Sequence, residues 1–537
     1  MKTVRQLGRA LAACVLLYSG TATARNSRAW PQVAYDVKHD VSLPLSEMAR
    51  STPPVRHHRV RIREQVRNLH SAPSPAESDA AVQDVYLSNV STTQVIAFDG
   101  ITGNDAMAAP PDTNGSVGTT QFVEITNSDY EVFDKATGKV LLPPTSYLTI
   151  WRGFADGCET NDNGDPIVLW DKLAQRWLVS HLSFTSFTQK NLVCIAVSTT
   201  ADAKGTYARY SFDFEDRNPD YEKLAVWPDA YYFTSNPGTL KFAFAAQPCA
   251  FDRKAMLVGA KAKVICFSPD PHNFGFLPSD LDGATLPPEG EPNHYVEGVG
   301  VGNNTTLLKE FDFHVDFAHP TKSTFSGPHP ISVPSFSKAC NGGFCIPEPS
   351  PGTLLDSLSD YLMYRLAYRN FGDHESILVA HSVKPGKGSA AAAATRWYEL
   401  RATPPGGNFT LYQAGTFQDN HTSLWLASIA MDKQGNIAMG MSASSNTIKP
   451  SVWYTGRVPG DPLGKMERPT IAVKGTAVQE GGINGTVRWG DYSSISVDPS
   501  DDCTFWYAQE YYNKKNGGPV SIDWSTHIVA FKFDSCK

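Results

Sequence analysis

Gly490-Asp491-Tyr492-Ser493-Ser494-Ile495-Ser496-Val497 reads as a turn glycine, a carboxylate and then a short strand. The same unit recurs along the chain. Pro111-Asp112 precedes Thr-Asn-Gly-Ser-Val, and Gly164-Asp165 precedes Pro-Ile-Val-Leu-Trp. Pro228-Asp229, Pro292-Asn293 and Ser359-Asp360 each precede an aromatic-rich strand. The strand around Trp425 to Met431 keeps the phase without the acid. Successive spacings are 53, 64, 64, 67, 65 and 66 residues. A period near 65 is what four strands and their loops require in one propeller blade. A β-sandwich with an added domain would not produce that period.

The arithmetic also closes. The unit that starts at Asp491 has only 47 residues, and the segment 92–111 supplies about 20 more. The expected fold is therefore all-β: a seven-bladed β-propeller over 92–537, closed by an N-terminal strand that completes the last blade. Closure removes two open sheet edges. Gly and Pro together number 78 of 537 residues, and aromatics make up 11%. That suits a turn-rich β protein.

The first 24 residues read as a secretory signal peptide. Lys2, Arg5 and Arg9 precede the apolar stretch Leu11 to Tyr18, and Ala22-Thr23-Ala24 offers a cleavage site before Arg25. A lipobox around Cys14 is the alternative, but the apolar core runs on past that cysteine. The expected location is extracellular or periplasmic. Residues 25–91 hold Pro-Pro, a Ser-Ala-Pro-Ser-Pro run and the cluster Arg56, Arg59, Arg61, Arg63 and Arg67. They read as a low-structure extension or linker, with a pro-segment as the alternative.

Beyond the leader, eight cysteines remain, an even number that reads as disulfides in an exported chain. Neighbour pairing is the simplest of the possible connectivities: Cys158–Cys194, Cys249–Cys266, Cys340–Cys345 and Cys503–Cys536. There is no C-x-x-C pair to suggest zinc. The net charge of −7 argues against non-specific nucleic-acid binding. No apolar run is long enough to span a membrane. The G-x-S-x-G, H-E-x-x-H and P-loop signatures are missing, which disfavours serine hydrolases, zincins and NTPases.

Several long blocks resemble a family of secreted bacterial proteins of sialidase-like propeller type that has no assigned function. They are Pro110 to Gly118, Gly164 to Asp171 with Arg176-Trp177, Leu358 to Glu375, and Arg488 to Ser494 with Asp501 to Trp506. The resemblance covers about residues 95–537 and implies a propeller fold. The strict sialidase box S-x-D-x-G-x-T-W is absent, so the resemblance does not imply sialidase activity.

On this alignment Asp112, Asp165, Asp229, Asn293, Asp360 and Asp491 ring one mouth of the axial channel. With Arg488 and Tyr492 they are the expected ligand-binding set. Clustered carboxylates need arginines, backbone N–H groups, bound cations or raised pKa values. Asp112, Asp165 and Asp491 are the expected ligands if Ca²⁺ is the compensating cation. Such acids also serve as turn residues that accept backbone N–H bonds. Asp229, Asp360, Arg365, His374, Glu375 and Asp491 are the candidates for acid–base chemistry of the glycosidase or lyase kind. The expected partner is an extracellular glycan or protein, bound by a monomer. Two classes of function stay open: a carbohydrate-active enzyme, or a non-catalytic binding or adhesion propeller stabilised by Ca²⁺.

Overall fold

The computed structural model describes residues 30–51, 61–62, 79–88, 91–184, 190–215, 217–238, 246–270, 272–298, 306–350, 352–479, 486–513 and 522–537. The leader at 1–24 lies outside them. The chain is all-β, with a few short helical turns among the strands. Most of its strands form antiparallel meanders, and the first strand of each meander lies beside the first strand of the next; two small sheets with parallel pairs stand apart from them.

Those first strands are β1 (Asn114–Val117), β2 (Ile167–Asp171), β3 (Asn218–Val226), β4 (Leu277–Asp282), β5 (Met363–Asn370), β6 (Ser423–Met431) and β7 (Ser494–Val497). Each neighbours its successor, and β7 returns to β1. β4 pairs antiparallel with Asn293–Glu297 through Leu277 and Pro278, then runs parallel to β5 from Ser279 to Asp282. That switch fuses two sheets into one of eight strands.

The first strands lack a full ladder on the side facing the ring, so backbone groups there need side-chain partners. Short polar side chains supply them. Asn114 Oδ1 accepts from the Val168 N–H at 2.9 Å, and Ser116 Oγ accepts from Trp170 at 3.1 Å. Ser428 Oγ accepts from Ile495 at 3.1 Å, and Asp280 Oδ1 accepts from Val226 at 2.9 Å. Ser494 Oγ donates to the Gly115 carbonyl at 2.7 Å. These bonds join neighbouring sheets and explain why the ring interior is polar while the faces between sheets are apolar. One such interface packs Trp227, Tyr232, Tyr295, Phe311 and Phe313 with Leu366 and Tyr368.

The last sheet closes as expected. Its order is β7, Phe505–Tyr512, Trp524–Phe533 and then Thr92–Thr102, which enters from the other end of the described chain. All four neighbour disulfides form.

Part of the supposed linker is structured. Gln32–Tyr35 adds a fifth strand against Lys263–Cys266, and Lys38–Val41 adds one against Tyr207–Asp213. A single stretch thus covers the outer edges of two sheets. Arg209 fixes it by a bidentate pair with Asp40 at 2.6 and 2.7 Å. The expectation of a low-structure segment fails here because a strand can be held by ladder bonds without burying a face. Val33, Tyr35 and Val41 remain exposed.

The Cys503–Cys536 bridge ties the segment after the last strand back to the turn before Phe505. Replacing both cysteines with serine is expected to cost about 4 kcal/mol of unfolding free energy, as loop-closure entropy predicts for a separation of 33 residues. Urea unfolding measures it, and a loss below about 0.5 kcal/mol would show an idle staple.

Candidate functional site

The two ends of the ring differ. The acids that precede β1, β2 and β7 lie at one end and are buried. Asp112 and Asp165 both have left-handed backbone, at φ 49° and 50°, a conformation that Asp tolerates. Their carboxylates cross to neighbouring turns. Asp112 Oδ1 accepts from the Asp491 N–H at 2.7 Å, and its Oδ2 accepts from Asn127 Nδ2 at 2.6 Å. Asn127 Oδ1 accepts from the Asp165 N–H at 3.0 Å, and Asp165 Oδ2 accepts from the Tyr221 N–H at 3.1 Å. One hydrogen-bonded chain therefore links the turns before β7, β1 and β2 to the start of β3.

Cations complete this cluster. Arg488 pairs with Asp491. The Lys223 ammonium sits 3.6 Å from the Tyr221 ring centroid and 4.2 Å from that of Tyr492, and donates to the Glu222 carbonyl at 2.7 Å. Burial and the Asp165 charge push Asp112 up to about 6. Burial pushes Asp491 and Glu222 well above the usual carboxylate range and pulls Lys223 down. A three-stranded sheet of Phe344–Pro347, Leu354–Asp356 and Thr486–Val487 lies nearby in the chain's fold. Its Ile346, Leu355 and Val487 share an apolar cluster with Tyr361, Trp489 and Tyr492. The expected open, acidic mouth is thus a closed end, because this packing takes Asp112, Asp165, Asp491 and Tyr492 out of solvent.

Other expected residues lie elsewhere. Asp229 and Asn293 do not precede inner strands. Asp229 lies in the turn between β3 and Tyr231–Gly238, where it accepts from the Tyr232 hydroxyl at 3.3 Å. Asn293 begins the second strand of its unit and exchanges hydrogen bonds with the Ser279 backbone at 2.7 and 3.2 Å. The Pro-Asp and Pro-Asn signals there mark hairpins one strand out of phase. Asp360 pairs with Lys338 at 3.2 Å in the interior. Glu375 is buried, accepting from the Tyr368 hydroxyl and from the Gly406 N–H at 2.6 Å. His374 stacks on Phe371 and meets Asp373 at 2.7 Å, on the hairpin between β5 and Glu375–Val383.

The opposite end of the ring opens into a cavity of about 420 Å³. It is walled by β1, β2, β4, β5 and β7 and the turns that follow them. Arg365 is the one acid–base candidate that lines it. Its guanidinium holds Asp280 at 2.6 Å and also Asp282, while Nε donates to the Ile495 carbonyl at 3.0 Å. Arg369 holds Asp502 through two bonds of 2.6 and 2.7 Å. Lys172 and Trp170 complete the polar wall, and their Nζ and Nε1 atoms are buried with no hydrogen-bond partner among the described residues. Burial pulls the Lys172 amine down to about 7.

Sequence reading missed Trp170, Lys172, Asp280, Asp282 and Asp502. One signal was available. Ser279-Asp280-Leu281-Asp282-Gly283 places two carboxylates on one face at the end of a strand.

No family model matches the chain, and no curated protein matches it, so the sialidase-like resemblance has no family match behind it. Solved structures do match. An α-L-arabinofuranosidase from Fusarium graminearum aligns at 9% identity and TM-score 0.36, over 83% of this chain and 99% of that one. An exo-β-1,3-galactanase from Clostridium thermocellum aligns at 10% identity and TM-score 0.30, over 79% and 93%. The WD40 domain of SCAP from fission yeast aligns at 9% identity and TM-score 0.34, over 78% and 82%.

The raised carboxyls set a sign for pH dependence. Asp112 at about 6 and Glu124 at about 7 bind protons in the folded state that the unfolded chain releases near 4. Their contribution is full below about 4 and is lost as pH rises through 6 to 7. Unfolding free energy is expected to fall between pH 5 and pH 7. Asp112→Asn should flatten that slope; a wild-type slope of the opposite sign would contradict the raised titration of these buried carboxyls.

Proposed function

We propose that the protein is an exported seven-bladed propeller that binds a carbohydrate in its open axial cavity. In this reading each first strand, β1 to β7, begins a blade, residues 1–24 are a signal peptide, and the cavity wall is the ligand surface. Four disulfides fit an oxidising compartment. Among the described residues no helix is long and apolar enough to cross a membrane.

The observation that carries the reading is the cavity wall itself. It sets an indole, an unpartnered amine and fixed carboxylates around about 420 Å³. Sugar rings need that combination: an apolar face to stack on, and convergent donors and acceptors for hydroxyls. Arg365 pre-orients Asp280 and Asp282 as acceptors, so little ordering is left to pay for on binding. Trp170 Nε1 and Lys172 Nζ are buried without partners among the described residues. Each costs free energy until something hydrogen-bonds it. A ligand hydroxyl does that.

A second reading, a polysaccharide lyase or hydrolase, is favoured by Lys172. An amine with a pKa near 7 is partly neutral at neutral pH and can accept a proton.

The test is retention of the protein on immobilised neutral, acidic and sialylated glycans, with product analysis in parallel. Lys172→Met is the informative variant. It removes an unpartnered buried amine, so it is expected to fold at least as stably as wild type and to lose tenfold or more in affinity. Equal retention of wild type and variant would remove Lys172 from the site. Retention of neither on any glycan would overturn the carbohydrate reading. Depolymerisation by wild type alone would favour the second reading.

A further inference from the structure

A second polar cluster lies away from the axis, in the sheet that β4 begins. On Asn293–Glu297, His294 stands opposite Asp312 of Leu307–His314. On the next strand, Thr324–Ser332, His329 stands opposite Glu310. Glu310 and Asp312, two residues apart on one strand, share the face on which His294 lies, and the ladder to the strand of His329 has a bulge between them. His294 Nδ1 lies 2.9 Å from Glu310 Oε1 and 3.0 Å from Asp312 Oδ1. His329 Nε2 lies 3.2 Å from Asp312 Oδ2.

These atoms are all electron-pair donors to a cation. One ring proton on Nδ1 can satisfy only one of the two carboxylates that approach it. One donor atom each from His294, Glu310 and Asp312 lies within 4.8 Å of the other two, which places two acceptors beside one ring nitrogen. A shared proton relieves one such contact. A metal ion relieves all of them together. The His294 separations of 2.9 and 3.0 Å are slightly inside the ~3.4 Å edge of a tetrahedron with ~2.1 Å metal bonds. Outward movement of a few tenths of an ångström would fit that edge.

The surroundings match a metal centre. The other ring nitrogen of His294, Nε2, meets Glu291 Oε1 at 3.0 Å. A carboxylate on the far nitrogen is how ligating imidazoles are oriented and made more basic. Phe409 and Trp227 flank the His294 ring edge-on and keep water from its buried side. His329 is 54% exposed, so the cluster has an entry from solvent.

We propose that His294, Glu310 and Asp312 form a binding site for a divalent cation of the zinc type. One imidazole and two carboxylates with a water as fourth ligand suit Zn²⁺ better than Ca²⁺ or Mg²⁺, which prefer six or more oxygens. The ion would pin two neighbouring strands, and His329 would hold the second oxygen of Asp312.

The test uses purified protein stripped with EDTA and titrated with ZnCl₂ by calorimetry, with melting followed in parallel. One tight equivalent, Kd micromolar or below, and a raised Tm are expected. Asp312→Asn and His329→Ala change partly exposed side chains, so both variants should fold; Asp312→Asn should weaken that equivalent tenfold or more, and His329→Ala, which removes only a contact to Asp312, should weaken it less. Replacing Zn²⁺ by Co²⁺ on the wild type should give the visible bands of a four-coordinate site, a readout independent of any variant. The proposal is overturned if stripped protein takes up no zinc, if both variants bind it unchanged, or if the cobalt spectrum is that of the hydrated ion.

Discussion

The first strands of the sheets face the ring with backbone groups that no neighbouring ladder completes. Leaving a buried N–H without an acceptor costs about 1–3 kcal/mol, and the ring has many of them. The sequence answers with short polar side chains at the points of need: Asn114, Ser116, Ser428 and Asp280 along the strands, Asp112 and Asp165 at the turns. Much else follows from this constraint. It makes the interior of the ring polar. It holds neighbouring sheets in register through single side chains, and it brings carboxylates to the axis whether or not a ligand uses them.

The two ends of the ring resolve the resulting charge differently. At the closed end, burial and mutual repulsion raise the carboxyls, Arg488 pairs with Asp491, and the Lys223 amine lies over the Tyr221 ring. At the open end, Arg365 and Arg369 each hold carboxylates in fixed geometry. Breaking a buried pair of this kind costs about 3–5 kcal/mol, so these groups form a rigid wall. Asp280 serves both purposes, closing a backbone bond of β3 with one oxygen and holding Arg365 with the other.

The all-β class, the closing strand at Thr92–Thr102 and the four cysteine pairs were legible because each is written locally or by count. The acids before β1, β2 and β7 were legible for the same reason, and they do meet. Pro228-Asp229 and Pro292-Asn293 misled because one turn grammar serves both the loops between sheets and the hairpins within them. The true inner strand β3 carries the same signal, Pro219-Asp220 ahead of Tyr221 to Val226, nine residues before the Pro228-Asp229 that was read, and a bulge between Asp220 and Lys223 follows it. The open cavity was not legible. Lys172 and Asp282 become neighbours only through the ring, and nothing near them in sequence marks the meeting. The strands at Gln32–Tyr35 and Lys38–Val41 were hidden because edge strands that bury little need no apolar alternation.

Closure of the last sheet has a consequence for the order of folding. His527 and Asp99 meet at 2.8 Å across 428 residues of chain, and the strands that carry them pair along most of their length. Contacts of such high sequence separation form late and slowly. Until that pairing is made, the strand Thr92–Thr102 and the edge strand Trp524–Phe533 of the last sheet each present unpaired backbone groups. In that interval the strand Thr92–Thr102 matches the last sheet of any other copy of the chain as well as its own. Concentration during folding therefore decides between a closed ring and an exchanged pair of rings. The Cys503–Cys536 bridge ties only the final sheet to itself, and leaves that choice open.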